Sequence, residues 1–211
     1  MGYWQILNQT YEKAREYVGK KDSTGMILLP IAHSTQNAQV EIALGLSGQW
    51  KGAKKVEKAD AVTIIPVTED SGSRSSGIAP HPLLDKLCYL AGDYSLYCHK
   101  KKAGEFYPAY IRQLEQWVEA GCHPYVKAIY AYLKKETLVH DLVEAGVLVL
   151  DETGLLSDHE KIEGIDQDAV FIRFRIQDEK VKGTGEVWRE TALYDDYISY
   201  YVCLLYTSPS P

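Results

Sequence analysis

Residues 63–94 read TIIPVTEDSGSRSSGIAPHPLLDKLCYLAGDY and place a strand-like run, a polar loop and a helix-like run in direct succession. The run 63–67 is apolar and β-branched, which predicts a short strand. Pro82 begins a segment whose leucines recur at helical spacing and which Gly92 follows. We therefore expect an amphipathic helix that begins at Pro82.

The polar loop between these two runs, residues 71–77, has the composition of an anion-binding loop. Its backbone N–H groups and hydroxyls suit a phosphate, and the expected helix would add the positive end of its dipole. Arg74 contributes a permanent charge and a planar set of donors. The two glycines of the loop have P-loop spacing, but Ile78 and Ala79 stand where lysine and serine or threonine are required, which excludes that nucleotide-hydrolysing motif. A loop of this composition is also typical of a solvated connector.

The stretch from Ser73 to Tyr94 resembles the N-terminal region of the large subunit of the type I-C CRISPR interference (Cascade) complex. Members of that family carry an S-R-[ST]-S-G-I-A-P-H-P-L-x-D-K-L-x-Y-x-A-G-D-Y-like run, which this sequence follows closely. The resemblance extends from about Trp4 to Tyr201, is dense only over 40–94, and is looser over the FIRFRI run and 188–201.

This resemblance implies a non-catalytic subunit without cofactors that serves antiviral defence. Such a subunit recognises the protospacer-adjacent motif (PAM) in double-stranded target DNA and holds the unwound strands while guide RNA pairs with its target. The partners implied are the guide RNA complex, the other Cascade subunits and a recruited helicase-nuclease that performs any strand cleavage.

Basic residues suited to DNA phosphates cluster near this loop. The chain has a net charge of −6 and a pI near 5.5, so any nucleic-acid contact must be confined to local patches. Lysines are concentrated at 51–58 and at 100–102, where a solvated surface is the alternative interpretation. We predict DNA contacts by Lys51, Lys54, Lys55, Ser73, Arg74, Ser75, Ser76 and Gly77.

The remaining periodicity predicts an α+β fold with a β-hairpin in its N-terminal lobe and a helical insertion. The hairpin is expected where 40–46 alternates and 49–56 returns after Ser47-Gly48. Arg173 and Arg175 alternate with apolar residues, which predicts a strand with one solvent-exposed charged face. Further strands are expected at 26–32, 147–150 and 169–176, and further helices at 4–17, 105–120, 125–135 and 137–145.

We divide the chain into a β-rich lobe with the DNA-facing loop (1–96), a helical segment (97–146) and the mixed start of a next part (147–202). Residues 203–211, CLLYTSPSP, resemble translated adaptor sequence, so we expect a non-native tail on a chain truncated at its C-terminus. The four cysteines lack paired spacing, and no apolar run is long enough to span a membrane. A cytoplasmic protein without membrane contact is expected.

Two other functions are compatible with the sequence. His99, His140, Asp141 and Asp196 occur in the order used by HD-type metal-dependent phosphohydrolases, although an HD pair on a solvated helix is common by chance. A purely structural interaction module would instead bind partners independently of salt and would not retain DNA. We predict no catalytic residues and no metal site.

Overall fold

The computed structural model describes residues 11–74, 77–98, 100 and 104–207, and its architecture is the expected mixed α+β. The strands are β1 (His33–Asn37), β2 (Val40–Leu44), β3 (Trp50–Lys55), β4 (Val62–Pro66), β5 (Lys161–Ile162), β6 (Ile165–Asp166) and β7 (Ile172–Ile176). The helices are α1 (Glu69–Gly72), α2 (Leu87–Leu90), α3 (Tyr94–Tyr97), α4 (Phe106–Glu119), α5 (Pro124–Leu133), α6 (Leu138–Glu144) and α7 (Thr191–Thr207). Short 3-10 turns occupy Arg15–Tyr17, Lys58–Asp60, Gln167–Ala169 and Val187–Arg189.

A three-stranded sheet with the order β3-β2-β7 organises the fold. β2 and β3 form the antiparallel hairpin that the alternation over 40–56 predicts. β7 pairs with β2 in parallel, with Val40 opposite Ile172, so residues 132 positions apart in the chain share one sheet. A parallel pair needs a long crossover, and the crossover here carries the helices α1 to α6. β4, also predicted, pairs antiparallel with β1 in a second small sheet.

The two faces of the central sheet are chemically different because strand side chains alternate in direction. One face consists of aliphatic and aromatic side chains that are at most 1% exposed, namely Val40, Ile42, Leu44, Ile172, Phe174 and Ile176. This face joins the main hydrophobic core with the buried faces of α4, α5 and α6. The other face carries Glu41, Arg173 and Arg175.

α4, α5 and α6 match the helices predicted at 105–120, 125–135 and 137–145 to within a few residues, whereas α7 was not predicted. α4 buries Tyr110, Leu114 and Trp117, which are at helical spacing. α5 begins at Pro124, and the side chain of His123 caps it by accepting a hydrogen bond from the backbone N–H of Tyr125. Among the described residues, no helix combines the length and the apolarity that a membrane crossing requires.

The strand predicted at 26–32 is wrong. Met26 is 71% exposed and Ile31 is 54% exposed, so this apolar segment is not a buried strand. The Asp22 carboxylate accepts hydrogen bonds from the backbone N–H groups of Thr24 and Met26, and this turn leaves only isolated β-bridges on the segment. Of the helix predicted at 4–17, residues 11–14 are helical and Arg15–Tyr17 form a 3-10 turn, while residues 4–10 lie outside the described part.

The strand predicted at 147–150 is also wrong, because the chain there closes the end of α6. The backbone N–H groups of Val147 and Leu148 both bond to the carbonyl of Leu142, and Leu150 forms only an isolated bridge. The prediction for 169–176 is confirmed only for Ile172–Ile176, since residues 167–169 form a 3-10 turn.

Gly48, in the turn between β2 and β3, provides a test of how the hairpin docks on α5. Its φ is +73°, and a Cβ there would lie 2.7 Å from the Ala128 carbonyl oxygen and 2.9 Å from the Tyr132 nitrogen. Gly48→Ala should lower the free energy of unfolding by about 3 kcal/mol, because left-handed strain and a clash with rigid backbone add. Urea unfolding followed by circular dichroism measures this loss.

Gly154→Ala is the matched control, because Gly154 has a φ of +83° but nothing within 4 Å of its Cβ position. It should cost about 1 kcal/mol from backbone strain alone. Equal losses in the two variants would contradict the close docking of the hairpin on α5.

Candidate nucleic-acid interface

The predicted hairpin lysines lie on an edge strand. Lys51, Lys54 and Lys55 are exposed on β3, whose outer side has no neighbouring strand in the described sheet. The Lys54 side chain is 65% exposed, and its Nζ lies 3.5 Å from Oε1 of Glu41. Lys58 follows in the next 3-10 turn and is also exposed. The structure thus places these ammonium groups along one strand and the turn after it.

Beneath Lys54 lies a buried group that we call the arginine–glutamate cluster, formed by Glu41, Arg173, Arg175, Glu186 and Trp188. Glu41 Oε2 accepts hydrogen bonds from Nε and Nη2 of Arg173 at 3.0 and 2.7 Å, and Oε1 accepts one from Nε of Arg175 at 2.8 Å. The guanidinium of Arg173 stacks 3.8 Å from the Trp188 ring centroid. Arg175 also bonds to Glu186 at 3.0 Å.

This cluster corrects the prediction of a solvent-exposed charged face on β7. Arg173 is only 5% exposed, because Glu41 pairs with it and Trp188 covers it. Burial alone raises the pKa of Glu41, but hydrogen bonds from Arg175 and Arg173 outweigh burial and lower that pKa below its ordinary value. The carboxylate is therefore ionised at neutral pH and holds both arginines in place.

The charges around the cluster do not balance. Four cations, Lys54, Arg173, Arg175 and Arg189, surround two carboxylates, those of Glu41 and Glu186. Since Lys54 is itself one of the exposed lysines of β3, the arginines alone exceed the two carboxylates by one positive charge, on a chain whose net charge is −6. Such a local excess attracts an anion to this surface.

The segment that resembles the CRISPR subunit folds as a loop that is closed by an internal ion pair, and no helix begins at Pro82. Arg74 Nη1 and Nη2 donate to the two oxygens of Asp85 at 2.8 and 2.6 Å, and Nη1 also donates to the carbonyl of Ala79 at 2.8 Å. The guanidinium lies 4.6 Å from the Tyr89 ring centroid. We call this arrangement the Arg74–Asp85 clip.

The clip explains why the helix predicted from Pro82 is wrong. Asp85 is fully buried, and its carboxylate accepts hydrogen bonds from the backbone N–H groups of His81 and Lys86 as well as from Arg74. Leu83 has a φ of +69°, outside the helical region, and the helix runs only from Leu87 to Leu90. No helix N-terminus therefore follows the loop directly, and the dipole contribution that the sequence predicted is missing.

The predicted DNA contacts in the loop occupy different environments. The Arg74 side chain is 16% exposed and is paired, and its pKa is raised because bonds from the guanidinium to Asp85 outweigh burial. Ser73 Oγ donates to the carbonyl of Glu69 at 2.8 Å, and Gly77 is exposed with a φ of +90°. Ser75 and Ser76 lie outside the described residues.

Within the described residues, no hydrogen bond or ion pair joins this loop to the lysines of β3. No direct bond in the described structure therefore joins the two groups of predicted site residues. Sequence reasoning also missed Arg189 and the pairing of Glu41 with Arg173, because these partners come together only through tertiary structure.

The residues of the possible HD site are used in other contacts. Asp141 Oδ2 accepts hydrogen bonds from the hydroxyls of Tyr132 and Thr137, and Asp196 accepts one from the indole N–H of Trp117. His140 is 59% exposed with Nδ1 3.6 Å from Asp141. His99 lies outside the described residues, and among those described no group of three or more His, Cys, Asp and Glu side chains is placed to hold a metal.

Comparison with known proteins gives one family match. A family model described as CRISPR-associated protein (Cas_Csd1) matches residues 7–206, which is nearly the whole chain. No curated protein matches the sequence.

Because Asp85 holds Arg74 in the Arg74–Asp85 clip, we expect the loss of its charge to destabilise the fold strongly. Asp85→Asn should lower the free energy of unfolding by about 3 kcal/mol, because it leaves a partly buried guanidinium without its counter-charge. Urea unfolding measures the loss. Asp166→Asn is the control, because Asp166 pairs with Lys161 where both side chains are more than half exposed. Stability losses of the same size in the two variants would contradict a structural role for the clip.

Because His81 is buried, we expect the free energy of unfolding to depend on pH. Burial lowers the pKa of its imidazole to about 4, despite the nearby Asp85 carboxylate. The unfolded chain takes up a proton near its ordinary pKa of about 6.5, while the folded protein resists protonation until about pH 4. His81 therefore stabilises the fold above the unfolded pKa, and this contribution falls by about 1–2 kcal/mol between pH 7 and pH 5.

Urea midpoints of the wild type and His81→Leu at both pH values measure this effect. The wild type should lose more stability on acidification than the variant. The remaining slope of the variant reports the other titrating groups, including His33, whose pKa burial also lowers to about 4, and His123, whose pKa burial lowers as well. Parallel pH profiles for the two proteins would contradict the assignment.

Proposed function

The chain belongs to the Cas_Csd1 family of CRISPR-associated proteins, and from this premise we propose that it is a non-catalytic DNA-binding subunit of a type I-C surveillance complex. In this role it contacts double-stranded target DNA, contributes to PAM recognition and stabilises the separated strands during antiviral defence. It works with the guide RNA complex, the other Cascade subunits and a recruited helicase-nuclease.

The observation that carries this proposal is the set of exposed lysines on edge strand β3. Lys54 lies opposite Glu41 above the arginine–glutamate cluster, while Lys55 lies opposite Val40 on the other face of the strand. Lys51 and Lys54 are three residues apart, about 10 Å along an extended strand. That span is comparable with the spacing of charges on a DNA duplex, which on each strand recur every ~3.4 Å of the helix axis. Because β3 is hydrogen-bonded to β2 and anchored by Glu41, the lysines meet the phosphates from a rigid element.

In this proposal the loop 73–77 contacts phosphates through hydroxyl and backbone N–H groups and not through the charge of Arg74. The guanidinium of Arg74 is bound to Asp85, so it shapes the loop instead of reading a base. Ser73, Gly77 and the serines between them remain the candidates for phosphate contact, through hydroxyl and backbone N–H groups. Arg74→Ala therefore tests the folding of the loop rather than a direct DNA contact.

A structural interaction module is the second candidate, and the position of the lysines supports it. Exposed lysines on an edge strand prevent unwanted pairing with strands of other molecules. Such lysines need no nucleic acid. The two functions differ in their response to salt, because only phosphate binding releases counterions.

The proposal predicts that Lys51→Ala, Lys54→Ala and Lys55→Ala together weaken binding to duplex DNA by about tenfold or more at low salt. The slope of log K against log salt concentration should become shallower by about two to three units, since each lost phosphate contact removes about 0.9. Fluorescence anisotropy with a labelled duplex measures both quantities.

The matched control replaces three exposed lysines elsewhere, Lys127→Ala, Lys134→Ala and Lys182→Ala, and changes the net charge equally. This control should keep most of the affinity and the wild-type slope. An unchanged affinity in the β3 variant, or equal losses in both variants, would overturn the assignment of β3 as the DNA contact.

A further inference from the structure

A cavity of about 350 Å³ lies outside the β3 surface, where three separate parts of the chain meet. The turn at Gly19–Lys21 and Ile27 form one side, the 3-10 turn after β3 forms a second, and the turn that contains Trp188 forms a third. β4 closes the cavity with aliphatic side chains. The lining residues are Gly19, Lys20, Lys21, Ile27, Ala59, Asp60, Val62, Ile64, Trp188 and Arg189.

The cavity is polar and positively charged at its rim. Three cations, Lys20, Lys21 and Arg189, line it together with one carboxylate, that of Asp60. Lys20 and Lys21 are exposed, and within the described part of the chain no carboxylate lies at salt-bridge distance from either ammonium. Arg189 is 61% exposed and shares its charge with Glu186 at 3.1 Å. The two unpaired lysines therefore supply most of the attraction for an anion.

The inner wall of the cavity is held in place by the arginine–glutamate cluster. Arg173 Nη1 donates to the backbone carbonyl of Asp60 at 2.7 Å and stacks on Trp188, so the arginine–glutamate cluster fixes two lining residues. Trp188 is only 2% exposed, so its ring is packed within this wall. A preformed wall reduces the entropy lost when a ligand is ordered against it.

We propose that this cavity binds one nucleotide unit, a phosphate attached to a sugar and a base. Lys20, Lys21 and Arg189 would hold the phosphate through charge-assisted hydrogen bonds. Ile27 and Ile64 offer an apolar surface for the flat base, and the Asp60 carboxylate accepts hydrogen bonds from a base amine or a sugar hydroxyl. A bare phosphate would use neither the aliphatic wall nor Asp60 as a hydrogen-bond acceptor, which favours the whole nucleotide.

This inference goes beyond the proposed DNA contact and does not depend on it. The β3 lysines lie on a strand that suits a duplex backbone, while the cavity has the size and the mixed chemistry of a site for a single unstacked unit. The nucleotide can come from two sources with the same chemistry, a free mononucleotide or an unpaired nucleotide of a single strand.

The test uses the full chain and four probes, namely thymidine 5′-monophosphate, thymidine, inorganic phosphate and a short single-stranded oligothymidylate. Saturation-transfer NMR measures the small ligands, and fluorescence anisotropy measures the labelled strand. The double variant Lys20→Ala, Lys21→Ala is compared with Lys127→Ala, Lys182→Ala, which removes the same charge from exposed positions outside the cavity.

We expect the mononucleotide to bind more tightly than thymidine or phosphate, and its affinity to fall by about tenfold in the cavity variant but not in the control. The free mononucleotide could show no measurable binding while the affinity for the single strand falls in the cavity variant. That result would support the cavity as a nucleotide site and identify a single strand as the source of the nucleotide. Phosphate binding equal to nucleotide binding would overturn the proposal. Nucleotide and strand affinities that are unchanged in the cavity variant would overturn it as well.

Duplex binding separates this proposal from the proposed function. The cavity variant should keep the wild-type affinity for duplex DNA, and the β3 triple variant should keep the wild-type affinity for the mononucleotide. If duplex binding is absent while the cavity variant alone loses nucleotide binding, the DNA-binding role fails and the cavity assignment stands. A loss of duplex binding in the cavity variant would contradict an independent site.

Discussion

The ion pair between Glu41 and Arg173 is the constraint on which the central sheet depends. A buried carboxylate is tolerated only when charges and hydrogen bonds compensate its lost hydration, and two arginines provide both here. The pair also fixes the register of β2 against β7. A slip of β7 by one residue would turn Arg173 and Arg175 toward the hydrophobic core and place Ile172 and Phe174 on the face that carries Glu41. Both faces of the sheet therefore select the same register.

This pair connects the fold to both proposed sites. Glu41 lies beneath Lys54, so the buried cluster sets where β3 presents its lysines. Arg173 extends the same network to the Asp60 carbonyl and to Trp188, which form part of the cavity wall. A single buried network thus supports an extended basic strand and a compact cavity, which are surfaces of different shape and suit different forms of a nucleic acid.

The most distinctive part of the sequence has a structural use that its composition did not reveal. The run around Arg74 resembles an anion-binding loop, yet the guanidinium is bound within the chain by Asp85. The same carboxylate takes the backbone N–H groups of His81 and Lys86, so it shapes the segment where a helix was predicted. Composition shows which donors a loop contains, whereas the partners of those donors depend on residues that fold back onto it.

The sequence alone determined the elements whose signals are local. Alternation and a Ser-Gly turn fixed the β2–β3 hairpin with Lys51, Lys54 and Lys55 on it, and helical periodicity fixed α4, α5 and α6. Tertiary structure alone decided the parallel pairing of β2 with β7, the burial of Arg173 and the meeting of Lys20, Lys21 and Arg189 at one cavity. The physical reason is range: periodicity and turn chemistry act over a few residues, while a buried charge is placed by a partner far along the chain.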